Sequence, residues 1–548
     1  MQRTPASILR SFFDPQFGRR DRLIPRWLLL RALALIYFSA FYSLICQVRG
    51  LVGPDGILPA RQFLDAVHHA LGPARFWYAP TLYWINSSNA AIMAVCWIGL
   101  LASIAAFLNA WPRLSFFVCF VCYLSFVAAA GDFSGYQSDG MLLEAGFLAL
   151  FFSPAGLWPG LGANSPPSRA SYFLLQWEWF RIYFESGIVK LLSGDQEWRH
   201  LTAMDEYYQN GPLPTWIGWY LQHLPHWFQV GTAGATLVLE IAIVFLMFLP
   251  RRARLICFLI VTPWEIVVIL TANYTFLNYL VLALGILLLD DGYLLRFVPA
   301  RFSSAMPSPI RPEQETLDHE EAEKPLSILA PSQPQPRPAK LSHLHAIRFA
   351  ITAVLLTLVG YVTAAGLILM PFPQLPLPIS PIRLLDPFRI ANRYGLFAVM
   401  TRGRYEIEFQ GSNDGQTWTP YPFRYKPQPL NEAPRIYAPY QPRFDWNLWF
   451  ASLGEWQQND IVPRTEECLL TNTPEVIHLF AGNPFSASPP RYIRAVLWQY
   501  WFTSMKEKHD TGNWWRRQLI GLYAPTLTLQ PDGKVGVIQW PQPLPPHN

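Results

Sequence analysis

A chain of 548 residues that is 51% hydrophobic yet only 14% charged is not an ordinary soluble globule, for which about 25% charged residues is usual. Its apolar residues fall in long unbroken runs and its mean hydropathy is positive, which describes a polytopic membrane protein. The formal net charge of +5 gives no reason to expect a nucleic-acid partner, because the basic residues are scattered at the ends of the apolar runs instead of being clustered on one face.

The chain begins with a basic, aromatic stretch, SFFDPQFGRRDRLIPRWLLLR, and residues 1–26 read as a cytoplasmic N-terminus. ALALIYFSAFYSLICQV follows at the length of a membrane crossing. No small-x-small cleavage site comes after it, so it reads as a first span and not as a signal peptide. Further apolar runs lie near 90–108, 114–130, 141–157, 172–192, 231–249, 255–271, 274–289 and 347–370. The expectation is a helical bundle over 27–292 with a last helix over 345–370, about nine spans in all, one or two of them short enough to be re-entrant.

Lys and Arg beside a span are retained on the cytoplasmic side. Arg19, Arg20, Arg22 and Arg26 place the N-terminus there, and alternation over nine spans places Arg251, Arg252 and Arg254 there as well. The loops 49–88, 131–140 and 193–229 then face the periplasm or lumen, as does everything after Met370. Residues 293–344 are rich in Pro, Ser and Glu, too poor in apolar surface to fold alone, and read as a disordered cytoplasmic linker. PFPQLPLPISP is a stiff, extended spacer.

Residues 381–541 change character. In RYEIEF, Tyr405, Ile407 and Phe409 alternate with Glu406 and Glu408, and YPFRY repeats the pattern with Tyr421, Phe423 and Tyr425, as half-buried strands do. GSNDGQTW between them holds an Asn-Asp-Gly turn, so the pair reads as a hairpin. RYIRAVLWQYWFT is a further strand. FDWNLWFASL breaks the rhythm: Asp445 can cap a helix with Trp446, Trp449 and Phe450 on one side. The region is expected to be an extramembrane β-sandwich with a short helix.

Charges within a membrane-buried segment are costly and by default suggest function. Between 176 and 192 stand Glu178, Arg181, Glu185 and Lys190. The first three share a helical face and can pair as a ladder. Lys190 is about 120 degrees away, so its partner must come from another helix, unless it snorkels to the interface. On the expected topology Lys190, Asp139, Glu144 and Glu265 all lie toward the outer side, where they could converge with Asp195, Trp198, Arg199 and His200 of the following loop. His223 and His226 are a poor metal pair on a Pro-broken segment, and no soluble-enzyme motif appears, so neither a metal nor a cofactor is expected. Cys46, Cys96, Cys119, Cys122 and Cys257 lie in apolar runs, Cys468 outside them. The lone CxxC of Cys119 and Cys122 reads as packing, with redox or metal chemistry as the alternative.

Several long motifs, in order, carry a resemblance: QSDGMLLEAGFLALFFSP, WFRIYFESGIVKLLSGDQEWRHLTAMDEYYQNGPLPTWIGWYLQHLP, LTANYTFLNYL with Leu289, Asp290 and Asp291 after it, RYEIEFQGSNDGQTWTPYPFRYKP, and APYQPRFDWNLWFASL. The chain resembles the lipase maturation factor family over almost its whole length. The resemblance implies an endomembrane or bacterial inner-membrane protein, with the short linkers in the style of a bacterial homologue. Its tail would face the lumen or periplasm, and it would help secreted proteins such as lipases to fold and assemble. Membrane lipids and a secreted client are the implied partners. Tyr207, Tyr208, Trp216, Trp219, Trp446 and Trp449 are the candidate client contacts, as exposed amphipathic surface. Tyr440 departs from the family, which often has His there, and this weighs against a metal or acid/base role. YEIEFQGSNDGQTW also resembles galactose-binding-like, jelly-roll sandwiches. SGIVKL with Trp198 is similar to the active-site lysine segment of vitamin K-dependent carboxylases; carried over, that implies a membrane enzyme acting on a quinone, lipid or protein with Lys190 as base.

Overall fold

A computed structural model describes residues 5–297 and 343–544; nearly all of the expected disordered linker, 293–344, lies outside the described residues. The central element is helix α1, Leu23–Val52, about 45 Å long at 1.5 Å per residue. Pro25 sits in its first turn, where no amide donor is needed, and Gly53 ends it by donating to the Arg49 carbonyl. Its start is sealed from a distance. The Asp291 carboxylate accepts from the Leu23 and Ile24 amides at 3.1 and 2.9 Å, and Arg22 donates to the Leu289 carbonyl.

Around α1 pack α2 (Asn89–Phe107), α3 (Pro112–Val127) and α4 (Gln137–Phe152), and α5 (Arg169–Leu192) packs on α4. Gly99 is what lets α2 close on α1: a Cβ there would lie 2.2 Å from the Phe41 ring. A short helix α6 (Trp216–Gln222) precedes α7 (His226–Ile241), α8 (Arg251–Thr271) and α9 (Leu277–Gly285), and α10 is His343–Leu369.

Among the described residues, five helical segments are long and apolar enough to cross a membrane: Arg20–Val52, Asn89–Phe107, His226–Phe248, Arg251–Thr271 and Ala346–Leu369. The expected count of about nine is not confirmed by length and composition. The apolar segments Pro112–Val127 and Leu277–Leu288 are shorter, α4 has only 16 residues, and α5 is long but carries four buried charges. The chain is a multi-pass membrane protein with fewer membrane-length helices than its apolar runs predicted.

The two ends of α1 differ. At its start Arg251 pairs with Asp290 at 3.0 Å, and Arg26 donates to the carbonyls of Leu161, Gly162 and Ser165. At its far end, Gly50 lies so close to Glu475 that a Cβ would come within 2.4 Å of that carbonyl. The C-terminal region therefore packs against the end of the bundle opposite to the basic one.

That region is built on six strands: β1 (Arg404–Ser412), β2 (Thr419–Pro420), β3 (Tyr492–Phe502), β4 (Trp515–Leu522), β5 (Thr526–Leu529) and β6 (Val535–Gln539). They form one antiparallel sheet ordered β2-β1-β3-β5-β6, with β4 also on β3. β1 and β3 pair from Arg404 opposite Tyr500 to Ser412 opposite Tyr492. The expected hairpin is present, its turn held by Asp414 accepting from the Gln416 and Thr417 amides at 2.8 and 2.7 Å with Gly415 at φ +74. Its second strand is Thr419–Pro420 and not YPFRY.

Helices α11 (Arg443–Ala451) and α12 (Ile461–Leu470) pack on β1 and on β3 and β5. The covering layer is thus helical, where a second sheet had been expected. Asp445 is not the cap of α11, which starts after Pro442; its carboxylate instead accepts from the Tyr425 and Lys426 amides. β1 is buried along its whole length. Glu406, expected to face water, pairs with Lys426 at 2.9 Å, and Glu408 pairs with Arg517 at 3.1 Å. Most buried apolar residues of bundle and sheet join in one large cluster, from Leu29 to Leu527, while Trp198, Trp219, Tyr500 and Trp515 belong to a second.

Candidate functional site

The charges of α5 find their partners on other segments. Arg181 forms a buried ion pair with Glu144 of α4 and donates to the Asn392 carbonyl at 2.6 Å. Glu144 also accepts from the Asn392 amide at 2.8 Å and the Tyr394 hydroxyl at 2.9 Å, while Glu185 accepts from the Tyr394 amide at 2.6 Å. The expected Glu178–Arg181–Glu185 ladder along one helix is therefore corrected: Arg181 bridges α5, α4 and the chain entering the sheet region, and Glu178, fully buried, stands outside that ion pair. A carboxylate on a facing helix together with a carbonyl satisfies more of the guanidinium's donors than a neighbour on its own helix could.

Asp139 is likewise claimed from a distance. Arg443, at the start of α11, places its two terminal nitrogens 2.8 Å from the two Asp139 oxygens and donates to the Phe133 carbonyl and the Tyr123 hydroxyl. Both partners are essentially excluded from solvent. Removing one member of such a buried pair typically costs about 3–5 kcal/mol.

Lys190 takes its partner from α7: its ammonium lies 2.8 and 2.7 Å from the two Glu240 oxygens and 5.2 Å from the centre of the Trp198 ring. Gly187 makes this approach possible, since a Cβ there would lie 2.7 Å from Ile241 and 2.9 Å from Glu240. Lys190 is 2% exposed and does not snorkel. Glu265 accepts from the Tyr183 hydroxyl at 2.5 Å and from Asn278 at 2.7 Å. The expected convergence of Lys190, Asp139, Glu144 and Glu265 thus resolves into separate groups, each with its own partner.

Lys190, Glu240 and Glu265 do share the wall of one cavity of about 860 Å³, and Asp139 and Glu144 do not line it. Its walls are mainly apolar and aromatic. α5, α7, α8 and α9 form the sides; residues 204–212, residues 395–401 and α11 close it over. Phe397 stands in the left-handed region at φ +56, uncommon for a bulky residue, and its carbonyl accepts from the Trp198 indole at 2.9 Å.

The loop residues fall on different surfaces. Trp198, Tyr207 and Tyr208 line the cavity. Asp195 accepts from the Met400 amide at 2.7 Å, and Arg199 and His200 are exposed. Of the aromatic side chains expected as open contact surface, Trp219 is 0% exposed and packs against Trp514 and His223, while Trp446 and Trp449 are buried in the cavity wall. Trp216 alone of the six is well exposed, at 45%. His223 lies between the Trp219 and Thr503 carbonyls, and Tyr440 meets Gln47 at 3.0 Å. Among the described residues no three metal-ligating side chains gather. In the sheet region burial pushes the Asp445 carboxyl up to about 6, with Lys426 opposing the rise.

Sequence reasoning missed Glu240, Arg443, Asn392 and Tyr394. Glu240 had a signal, a lone carboxylate inside an apolar run. Arg443 sat within a quoted motif but on a helix that looked half-exposed. Asn392 and Tyr394 carried none.

A bundle whose buried charges mostly find partners on other segments, locked to a C-terminal sheet region and enclosing an apolar cavity, defines a polytopic membrane protein with an integral sheet region packed on its bundle. Residues 24–296 match the lipase maturation factor transmembrane domain and residues 390–525 the lipase maturation factor C-terminal domain. Lipase maturation factor 2 of Gallus gallus is 33% identical, over 92% of this chain and 81% of the relative. Lipase maturation factor 1 of Bos taurus is 29% identical, over 96% and 94%, and that of Mus musculus 30% identical, over 95% and 90%. The chain belongs to the lipase maturation factor family. No solved structure gives a significant match.

Proposed function

We propose that the protein is an integral-membrane maturation factor that assists the folding or assembly of secreted proteins of the lipase class. The names of its relatives support the client class. The basic end of α1 would face the cytoplasm and the sheet region the periplasm or endoplasmic reticulum lumen, so that the platform meets clients after translocation. The observation that carries a client-holding role is strand β6. It ends the sheet's strand order and exposes Val537 and Ile538 at 40% and 53%, with Trp540 just beyond it at 64%. A long apolar sheet edge is a ready template for an extended segment of another chain, and an incompletely folded secreted protein offers such segments. Trp216 adds exposed aromatic surface nearer the membrane.

The test is co-expression with a secreted lipase. Val537→Glu with Ile538→Lys should lower active secreted lipase severalfold while membrane levels of the factor stay unchanged; undiminished secretion would overturn the docking edge.

The second reading is a membrane enzyme with Lys190 as base, and the opening of Lys190 and Glu240 onto the same cavity favours it. To act as a base the ammonium must first pass its proton to Glu240. Lys190→Arg preserves the ion pair but gives up no proton at working pH, so normal client maturation by this variant would exclude the enzymatic reading.

A further inference from the structure

The cavity has an architecture that client docking does not use. α7 packs on α5 and α8 packs on α9. α7 is carried to membrane length by the tight helical segment Ile243–Phe248, α8 has that length itself, and the space lies between them. Gly231, Thr232 and Ala235 line it from α7, and Trp264, Val267 and Val268 from α8. Gly231 and Val267 are exposed, so the gap opens sideways between the two apolar helices. At about 860 Å³ it lies in the range of sites that enclose a small amphipathic molecule, which is about 300–1,000 Å³.

Its polar groups define what would enter. The indole N–H groups of Trp446 and Trp449, each residue 7% exposed, have no acceptor among the described residues, and the side-chain oxygens of Asn210 and Asn278 have no donor; all four residues line the cavity. A buried polar group left unpaired costs about 1–3 kcal/mol, so an occupant offering both acceptors and donors is favoured. Charge narrows the class further. The one cation on the wall with a carboxylate beside it, Lys190, is matched by Glu240, and Glu265 is held by neutral donors only. Among the described residues, the wall holds no uncompensated positive charge for a phosphate or a carboxylate.

We propose that the cavity binds a neutral lipid bearing both ester carbonyls and a free hydroxyl, an acylglycerol, admitted from the bilayer between α7 and α8. On binding, the Trp446 and Trp449 indoles, whose N–H groups are buried in the cavity wall, turn to donate to the ester carbonyls. The equally buried Asn278 or Asn210 oxygen turns to accept from the hydroxyl, and the acyl chain runs along the small-residue face of α7. A quinone offers acceptors only, a sterol a single hydroxyl, and a phospholipid a charge for which the wall has no partner.

The experiment uses the full-length protein in lipid nanodiscs with a photoactivatable diacylglycerol, mapping the labelled peptides. Labelling should fall on the α7, α8 and α11 segments. Unlabelled monoacylglycerol or diacylglycerol should compete, the better competitor showing whether one chain or two is held, and phosphatidylglycerol and ubiquinone should not. Trp446→Phe with Trp449→Phe keeps a six-membered aromatic ring at each position and removes both donors, which should weaken labelling roughly tenfold. Gly231→Phe fills the space from a position where a Cβ meets no atom within 4 Å, so it should abolish labelling with little change in thermal midpoint. Equal competition by the quinone or the anionic phospholipid, or labelling indifferent to both variants, overturns the proposal. Lipase secretion is not the readout, so the lipid site and the client role can fail separately.

Discussion

Arg443 and Asp139 stand 304 residues apart in sequence and 2.8 Å apart in space, one at the start of a helix in the sheet region, the other in the first turn of a bundle helix. The two family domains are thus joined by a buried, two-pronged ion pair and not merely tethered. Asp139→Asn and Arg443→Met should each destabilise the protein by about 3–5 kcal/mol. The double variant Asp139→Leu with Arg443→Met leaves no orphan charge and should recover most of that. Chemical unfolding in detergent reads all three, and additive losses would mean the pair is not the linkage described.

Gly187 sets how closely α5 and α7 approach, and with it the Lys190–Glu240 pair. Gly187→Ala should cost about 1–3 kcal/mol, as overpacking does. Adding Ile241→Ala removes the nearest colliding atom and should return part of the loss. A neutral Gly187→Ala would show that the helices approach through other contacts.

Two tryptophans three residues apart on one helix, about 0.8 of a turn, should behave in opposite ways. Trp219, fully buried, should cost about 3–5 kcal/mol when cut to Ala. Trp216→Ala, on the exposed side, should change stability by less than about 0.5 kcal/mol yet reduce client secretion if that surface is used. Thermal unfolding and a secretion assay on the same pair of variants separate fold from function.

Asp445 predicts a pH dependence. Burial raises its carboxyl from 3.8 to about 6 in the folded protein, so the folded state binds the proton more tightly than the unfolded state does. Its stabilising contribution is fully present below about pH 3.8 and is lost as pH rises through about 6, a swing of about 3 kcal/mol at 1.36 kcal/mol per unit. Asp445→Asn retains an oxygen acceptor for the Tyr425 and Lys426 amides and should flatten the stability profile between pH 4 and 6. An unchanged slope would assign the dependence to another group.

The elements with one dominant period were legible in the sequence. RYIRAVLWQYWFT became β3, and the long apolar runs became α1, α2, α7, α8 and α10. YPFRY misled because alternation records a two-sided environment without supplying a strand to pair with, and Tyr421 contributes only an amide to the Phe409 carbonyl. Glu406 and Glu408 misled for a related reason: alternation was taken to mean water on one face, whereas Lys426, Arg404 and Arg517 cover that face. Charges on α5 marked a place of interest, but helical spacing can only propose partners within the helix. The partners came from Glu144, Glu240 and the chain at 392–394, and no single-sequence periodicity carries contacts of that range. Trp219, Trp446 and Trp449 were read as surface because an amphipathic ring serves an interface and an interior equally well.

The sealing of α1 bears on the order in which the protein can be completed. Its first turn is capped by Asp291, 268 residues downstream of Leu23, and Asp139 has no guanidinium until Arg443 has been made. A ribosome that has delivered every helix up to α10 has still produced a bundle with a bare carboxylate in its interior. Such an intermediate is marked as unfinished by its own electrostatics, and a maturation factor would itself reach its native state only when its last domain has been made and docked.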